Sequence, residues 1–540
     1  MERYRCSQLF VFILYTAFIF SCKQNKPYSE IELYRVYEIT LTADSPVDNP
    51  YLNGPVVTAD FTGVSGEASG KRLKITGFWD GENTWKLRFA PVSAGKWTYK
   101  TISDDPGLNK KRGSFTAVKP TEENLKSNIL YHGFLEKNDS YSWKLSDGTP
   151  FLPVGETQWS FSEEFFLPEW KEWMNVLHDR NFNTFMGCVW LGKYTRTDLY
   201  PFENRDPSTD RLLVRFFQEQ LDPMVQYAND KGIMVGLVIG GFPDNSQWFQ
   251  KFGTVERSDR WFRYIIARYT AFNVRWGLFG ELNEAQGRFA LEDKSWQWIG
   301  QHYAWFIKEN DPYRHPLGSH NTRVDTSAAG DPNVDFIEVQ EGNRTSPDHY
   351  LNAFNLRKWK KPVWYEEYWY EMDGDQDVGI QNTHRNFIHA MAFPTMGSLM
   401  RNHSGINTPF PPEEAIKQNI SLYDYLALSD TGILRMSYFA DFYKVLVDDL
   451  DEFAPSPGFV DRGECGRFGD NFAVFLDEGG SFTIDLSGLT GNYNVTRLDI
   501  KNGEIRKIEN ISGGKKCFID SEIMSDAAVL ILLSDSVRTY

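Results

Sequence analysis

The chain is short of what several large protein classes require. Its balance is acidic: 57 Lys and Arg stand against 73 Asp and Glu, a formal net charge of −16. A general nucleic-acid binder needs a basic surface to neutralise phosphates, so that class is set aside. A local basic pocket can still sit on an acidic protein, so an anionic small ligand stays open. No run of ~18 apolar residues, the length of a membrane-spanning helix, occurs anywhere. Cysteine is scarce, with Cys6, Cys22, Cys188, Cys465 and Cys517. Cys188 lies inside the apolar run Thr184 to Leu191 and reads as buried and inert. Cys465 and Cys517 bracket the last β-rich stretch and could pair in an oxidising compartment. There is no HExxH or CxxC spacing for a metal, no Gly-rich phosphate loop after the first strand, and no GxSxG elbow for a serine nucleophile. No cofactor and no metal are expected.

Aromatic residues, by contrast, are plentiful at 15%. Trp and Tyr bury large areas around one polar tip, so most belong in cores, with a minority left for stacking against sugar rings. At the N-terminus Arg3 and Arg5 precede an apolar run from Leu9 to Phe20. That length suits the core of a secretory signal. It ends in Ile19-Phe-Ser-Cys22, which resembles a bacterial lipoprotein cleavage box. The resemblance implies a signal over residues 1–22 and acylation of Cys22. It places the protein at the cell envelope, on the outer membrane or cell surface, with a lipid anchor as its only membrane contact.

Three folded regions follow. Residues 32–120 carry short alternating runs (Tyr37 to Thr42, Val56 to Phe61, Leu73 to Phe78, Trp85 to Phe89, Lys96 to Lys100) broken by Gly and Asn. Strict alternation with a turn every ten or so residues indicates an antiparallel β-sandwich. Residues 128–451 alternate apolar strand runs with helical periods. The strands are expected at Phe151 to Gly155, Thr184 to Leu191, Ile233 to Ile239, Trp276 to Leu282, His315 to Ser319, Val334 to Val339, Val363 to Glu367 and Met396 to Arg401. Helices are expected at 256–273, 293–310 and 379–393. Eight strands alternating with helices indicate an α/β protein built on a (β/α)8 barrel. After a Pro-Ser-Pro-Gly linker, 459–540 return to β alternation and read as a small C-terminal β-sandwich.

Two stretches carry the chemistry. Arg275-Trp-Gly-Leu-Phe-Gly-Glu-Leu-Asn-Glu284 and Lys361-Pro-Val-Trp-Tyr-Glu-Glu-Tyr368 each begin as a buried strand and end in carboxylates. Parallel barrels place catalytic groups at the C-terminal ends of their strands. Two carboxylates from different strands flanking one bond are what glycoside hydrolysis needs.

An Asn-Glu pair closing strand four and a Glu after Lys-Pro-Val on strand seven resemble the cellulase-like clan of retaining (β/α)8 glycoside hydrolases. Asp147-Gly-Thr-Pro-Phe-Leu-Pro-Val-Gly-Glu-Thr-Gln-Trp159 is similar to the opening of the apiosidase-like barrels, with Gly155-Glu156-Thr157 where those have Gly-Asp-Thr. Phe78 to Phe115 resembles a β-sandwich found ahead of such barrels. The resemblance implies Glu284 as acid/base, Glu367 as nucleophile, and Asn283 as a donor to the neighbouring sugar hydroxyl. Glu281 and Glu366 compete for these roles. On a regular strand Glu366 and Glu367 face opposite ways, as do Glu281 and Glu284. A sugar-binding shell is expected from Glu156, Trp159, Trp190, Lys193, Arg196, His320, Arg323, Gln340, Arg401 and His403, with Glu341 and Tyr194 beside it. Trp159 or Trp190 would be the stacking platform. The basic members Lys193, Arg196, Arg323 and Arg401 point to a carboxylated or sulfated sugar, since Arg forks match such groups. The expected activity is retaining hydrolysis of a plant or algal polysaccharide or oligosaccharide. The alternatives are a non-catalytic polysaccharide-binding lipoprotein on a degenerate barrel and an inverting hydrolase, whose carboxyl groups would stand further apart.

Overall fold

The computed structural model describes residues 30–137, 141–192, 196–242, 248–285, 291–321, 327–340, 354–367, 399–402 and 431–534. Eight parallel strands form its centre: β1 (Val154–Thr157), β2 (Thr184–Cys188), β3 (Met234–Val238), β4 (Val274–Gly280), β5 (Leu317–His320), β6 (Ile337–Gln340), β7 (Val363–Glu367) and β8 (Leu399–Asn402). Each overlaps one of the eight runs singled out in the sequence. Hydrogen bonds join six of them in the order β5-β4-β3-β2-β1-β8, and β6 pairs with β7. β6 lies next to β5, and β7 next to β8. Strands one to four are buried at every residue, as expected where a sheet is covered on both faces.

The covering helices follow from local rules. In α1 (Leu167–Asp179) Trp170, Trp173, Met174 and Leu177 turn one apolar stripe to the sheet. α2 spans Asp222–Asp230. α3 (Val255–Tyr269) starts where the Thr254 hydroxyl accepts from the Arg257 amide, and it buries Trp261, Phe262, Ile265, Ile266 and Tyr269. α4 (Trp296–Asn310) begins on the Ser295 cap in the same way. These two match the helices expected at 256–273 and 293–310. The one expected at 379–393 lies outside the described residues. Among the described residues, no helix is long and apolar enough to cross a membrane.

In the first β region a five-stranded and a three-stranded sheet enclose their own core of Leu41, Phe61, Leu87, Phe89, Trp97 and Phe115. After α5 (Thr431–Tyr443), the C-terminal part has a six-stranded and a two-stranded sheet around Val474, Ile484, Tyr493 and Ile519. Its strands Glu504–Ser512 and Lys516–Asp520 were not anticipated, because their exposed charged residues blur the alternation. Cys465 and Cys517 do not pair. Both are free and buried, on strands of different sheets. Burial pushes the Cys465 thiol up to about 12. Cys188 is buried too, with its thiol raised by burial, as the apolar run around it implied.

A buried lattice of charges fixes the first β region against helices α2 and α3. Arg88 donates to Glu38 at 2.9 Å, to the Arg268 carbonyl at 2.9 Å and to Asp222 at 2.6 Å. Arg268 grips Asp222 through two hydrogen bonds of 2.8 and 2.7 Å, and its guanidinium also meets Asp80 at 2.8 Å. Lys86 bridges Asp80 and Glu38, and the Tyr269 hydroxyl donates to Asp222. Three cations thus face three carboxylates. Burial alone would push the Asp222 carboxyl up. The charges and hydrogen bonds of Arg88 and Arg268 more than reverse this and hold it well below its ordinary value.

Candidate active site at the strand ends

β4 is a run of Val, Trp, Leu and Phe spaced by glycines, and it ends in a sharp change of direction. The register against β5 slips between Gly277 and Gly280. Glu281 then takes a left-handed backbone, with φ of 54°, and its amide donates to the His320 carbonyl at 2.6 Å. A single 3-10 turn, Leu282–Ala285, follows. It presents Glu284 at the surface with Asn283 buried beside it. The Glu284 amide donates back to the Glu281 carbonyl at 3.0 Å. Glu281 is therefore the pivot of the turn, and Glu284 is its exposed carboxylate.

β7 ends in a different irregularity. Tyr365 lies opposite Val339 and Glu367 opposite Gln340, so Glu366 is one residue more than the ladder needs. Such a bulge bends the strand and re-aims the side chains around it. Regular alternation, used in the sequence to make Glu366 and Glu367 exclusive, does not hold here.

Glu366 goes to a cluster beneath the strand ends. Its carboxylate contacts the Arg275 guanidinium and lies 3.6 Å from His320 Nδ1. Arg275 also reaches Glu338 at 3.3 Å, and its guanidinium lies 4.4 Å from the Trp364 ring centroid. Arg275, His320, Glu338 and Glu366 are all buried. Burial, then repulsion from Glu366, raises the Glu338 carboxyl well above its ordinary value. Glu338 is therefore held protonated while Glu366 pairs with Arg275. The packing leaves room for this at one residue in particular: a Cβ on Gly318 would lie 2.1 Å from the Glu338 carboxyl oxygen. Ligand atoms of His320, Glu338 and Glu366 lie within 4.8 Å of one another. Arg275 is already the counter-ion of both carboxylates of that triad.

The remaining expected residues divide. His320 ends β5, packed between Trp159 and Phe242 with ring centroids 4.7 and 6.0 Å away. Glu156 is buried on β1, in register with Arg401 of β8, and Gln340 is in register with Glu367. Trp159 is 2% exposed, its ring covered by Phe242 and His320. Trp190 is a correction: it is a core residue, 2% exposed and edge-on to Phe216, with no open face for a sugar. Arg196 is another. It forks onto Glu169 at 2.6 and 2.7 Å, donates to the Glu164 carbonyl and covers the Phe166 ring. Its charge is already matched, which removes one of the four cations that suggested an anionic sugar. Lys193, Tyr194, Arg323, Glu341 and His403 lie outside the described residues, as does Cys22; of Glu367, Gln340 and Arg401 only the backbone is described.

Three buried groups escaped the reading of the sequence. Arg275 borders the apolar run Trp276 to Phe279, and Glu338 sits between Ile337 and Val339. A charge inside a strand buried on both faces needs a partner, and that was the available signal. Glu163 is the third: it accepts from the Leu191 and Gly192 amides and fixes the chain leaving β2. A pocket of about 400 Å³ near these strands stands apart from the charged cluster. Leu278, Leu282, Trp296 and Gly300 line it, between β4 and α4.

Residues 137–393 match a family model described as the apiosidase-like catalytic domain. Over that segment the chain is similar to apiosidase-like glycosidases. Residues 30–104 match DUF5060, a domain of unknown function. Among solved structures, a candidate glycoside hydrolase from Bacteroides vulgatus is similar over 94% of this chain and 100% of its own, with 20% identity and a TM-score of 0.69. A glycoside hydrolase family 5 protein from the same organism is similar over 76% of this chain and 96% of its own, with 18% identity and a TM-score of 0.61. At such identities these two speak for the fold. Comparison with curated proteins gives no match.

Proposed function

We propose that the apiosidase-like domain closes as an eight-stranded barrel and hydrolyses glycosidic bonds with retention of configuration, Glu367 attacking and Glu284 serving as acid/base. The observation that carries this is positional. Glu284 stands in the turn directly after the fourth parallel strand, and Glu367 is the last residue of the seventh. In this reading Glu367 displaces the leaving group at the anomeric carbon as Glu284 protonates the departing oxygen. Glu284 then takes a proton from the water that releases the glycosyl enzyme. The proton Glu284 gives to the leaving group is thus replaced by the one it takes from water, so the residue ends the cycle as it began it. Asn283 would donate to the hydroxyl beside the anomeric carbon. His320, Glu156, Gln340 and Arg401 would complete the pocket wall.

The substrate class proposed is a plant or algal polysaccharide or an oligosaccharide from one, met at the cell envelope by an enzyme anchored through an acylated Cys22. The test is a panel of such glycans, followed by proton NMR of the first product on a responsive one. The retained anomer is expected. Glu284→Gln should lower turnover by at least ~100-fold, the lower range for loss of a positioned proton-transfer group, and Glu367→Gln, which removes the attacking group, by at least as much. Wild-type rates in both variants would remove the assignment, and an inverted first product would replace retention by inversion.

A further inference from the structure

The five-stranded sheet of the N-terminal region packs one face on its core and turns the other to solvent. Strand register fixes what the open face displays. Lys74 stands beside Asp60, Asp60 beside Lys100, and Lys100 beside Arg112, in one row across four strands. Arg72, Thr62, Thr98 and Ser114 form the next row. Segments 60–62, 72–74, 98–100 and 112–114 line a shallow groove of about 900 Å³. Arg72, Lys74, Lys100 and Arg112 are all exposed. Among the described residues none of the four joins an ion pair, whereas Lys86 and Arg88 of the other sheet are both paired.

Four cations with one carboxylate run against the balance of a chain whose net charge is −16. They are also set against one another. Like charges directly opposite across strands are destabilising, and Lys100 faces Arg112 in this way. We propose that this face binds a carboxylated polysaccharide, one uronic acid chain lying across the strands. Neighbouring strands are about 4.8 Å apart. Cations one and two strand spacings apart therefore recur on the scale of one and two sugar residues in an extended chain. A polymer with one carboxylate per residue meets such a row regularly. Asp60 stands between Lys74 and Lys100, with Thr62, Thr98 and Ser114 in the next row, and these can bond sugar hydroxyls. No aromatic ring stands in either outward row, so binding here is by charge and falls with salt. The proposal does not depend on the roles of Glu284 and Glu367.

The test is native gel electrophoresis of the full chain through gels containing polygalacturonate, its methyl-esterified form, or dextran sulfate. Vesicles with anionic headgroups serve in a parallel sedimentation assay. Retardation is expected on polygalacturonate at low salt, lost on the methyl ester and in 0.5 M salt (roughly 4 Å of Debye screening). Lys100→Glu with Arg112→Glu should weaken it roughly ten-fold, as reversal of two exposed pairings predicts. Hydrolysis of a small soluble glycoside should stay at the wild-type rate, which shows that the variant is folded. If that variant does not fold, Lys74→Gln with Arg72→Gln is the substitute and should also reduce retardation. Equal retardation of wild type and variants, equal retardation on the methyl ester, or preference for dextran sulfate or vesicles would overturn the proposal.

Discussion

Two buried charge clusters in this molecule use the same side chains to opposite effect. Where the N-terminal sheets meet α2 and α3, Lys86, Arg88 and Arg268 face Glu38, Asp80 and Asp222. Positive and negative charges match one for one, and Asp222 is held ionised far below its ordinary range. Beneath the ends of β5, β6 and β7, Arg275 is the fixed cation for both Glu338 and Glu366. One guanidinium serves two carboxylates there, with His320 3.6 Å from Glu366 beside it, and the Glu338 carboxyl is raised well above its ordinary value. Partner count, more than burial, decides which cluster acts as a weld and which keeps a proton inside the protein.

The contrast can be broken from the weld side first. Arg268→Met leaves Asp80 and Asp222 buried without their shared partner, and should cost about 3–5 kcal/mol of stability in urea unfolding at pH 7. A loss below ~1 kcal/mol would mean that the charges are not sealed from water. Next, Gly318→Ala drives a methyl group into the space occupied by the Glu338 carboxyl. Overpacking of that kind costs about 1–3 kcal/mol, and activity on a responsive glycan should fall with it.

The smallest effect is the most discriminating. Glu338→Gln replaces a carboxyl that is already neutral, so stability at pH 5 should change by less than ~1 kcal/mol. The two proteins should then diverge with pH. Glu338 keeps its proton in the native state but loses it near pH ~4.3 when unfolded. Its contribution is therefore full below that value and is lost as pH rises toward the raised native value, at up to ~1.4 kcal/mol per pH unit. Asp222 behaves conversely: its contribution is present above pH ~3.9 and is lost on acidification. Urea midpoints from pH 5 to 8 should decline in the wild type and stay flatter in Glu338→Gln. Parallel curves would show that Glu338 is ionised in the native protein.

Much of the architecture was legible in the residues because the physics there is local. Eight apolar runs of strand length separated by helical periods leave few arrangements, and every run became a strand. Glu284 could be preferred to Glu281 because an Asn-Glu pair closing a buried run had a recognisable setting. What stayed hidden depends on distant partners. Arg196 looks free until Glu169 forks onto it, and Trp190 looks like a platform until Phe216 meets its edge. Cys465 and Cys517 looked like a bracket, yet the strands holding them belong to different sheets. The bulge at Glu366 is of the same kind, because only the register against β6 makes it one residue too many.

The pairing of β1 with β8 has a cost that arises before the protein is finished. Val154 to Thr157 take their backbone partners from Leu399 to Asn402, nearly half the chain further on. During synthesis β1 leaves the ribosome long before those partners exist, and one of its flanks stays open to any passing strand. Contacts so remote slow folding, and partly assembled sheets with open edges aggregate. Overproduction of this protein should therefore profit from slower translation or lower temperature.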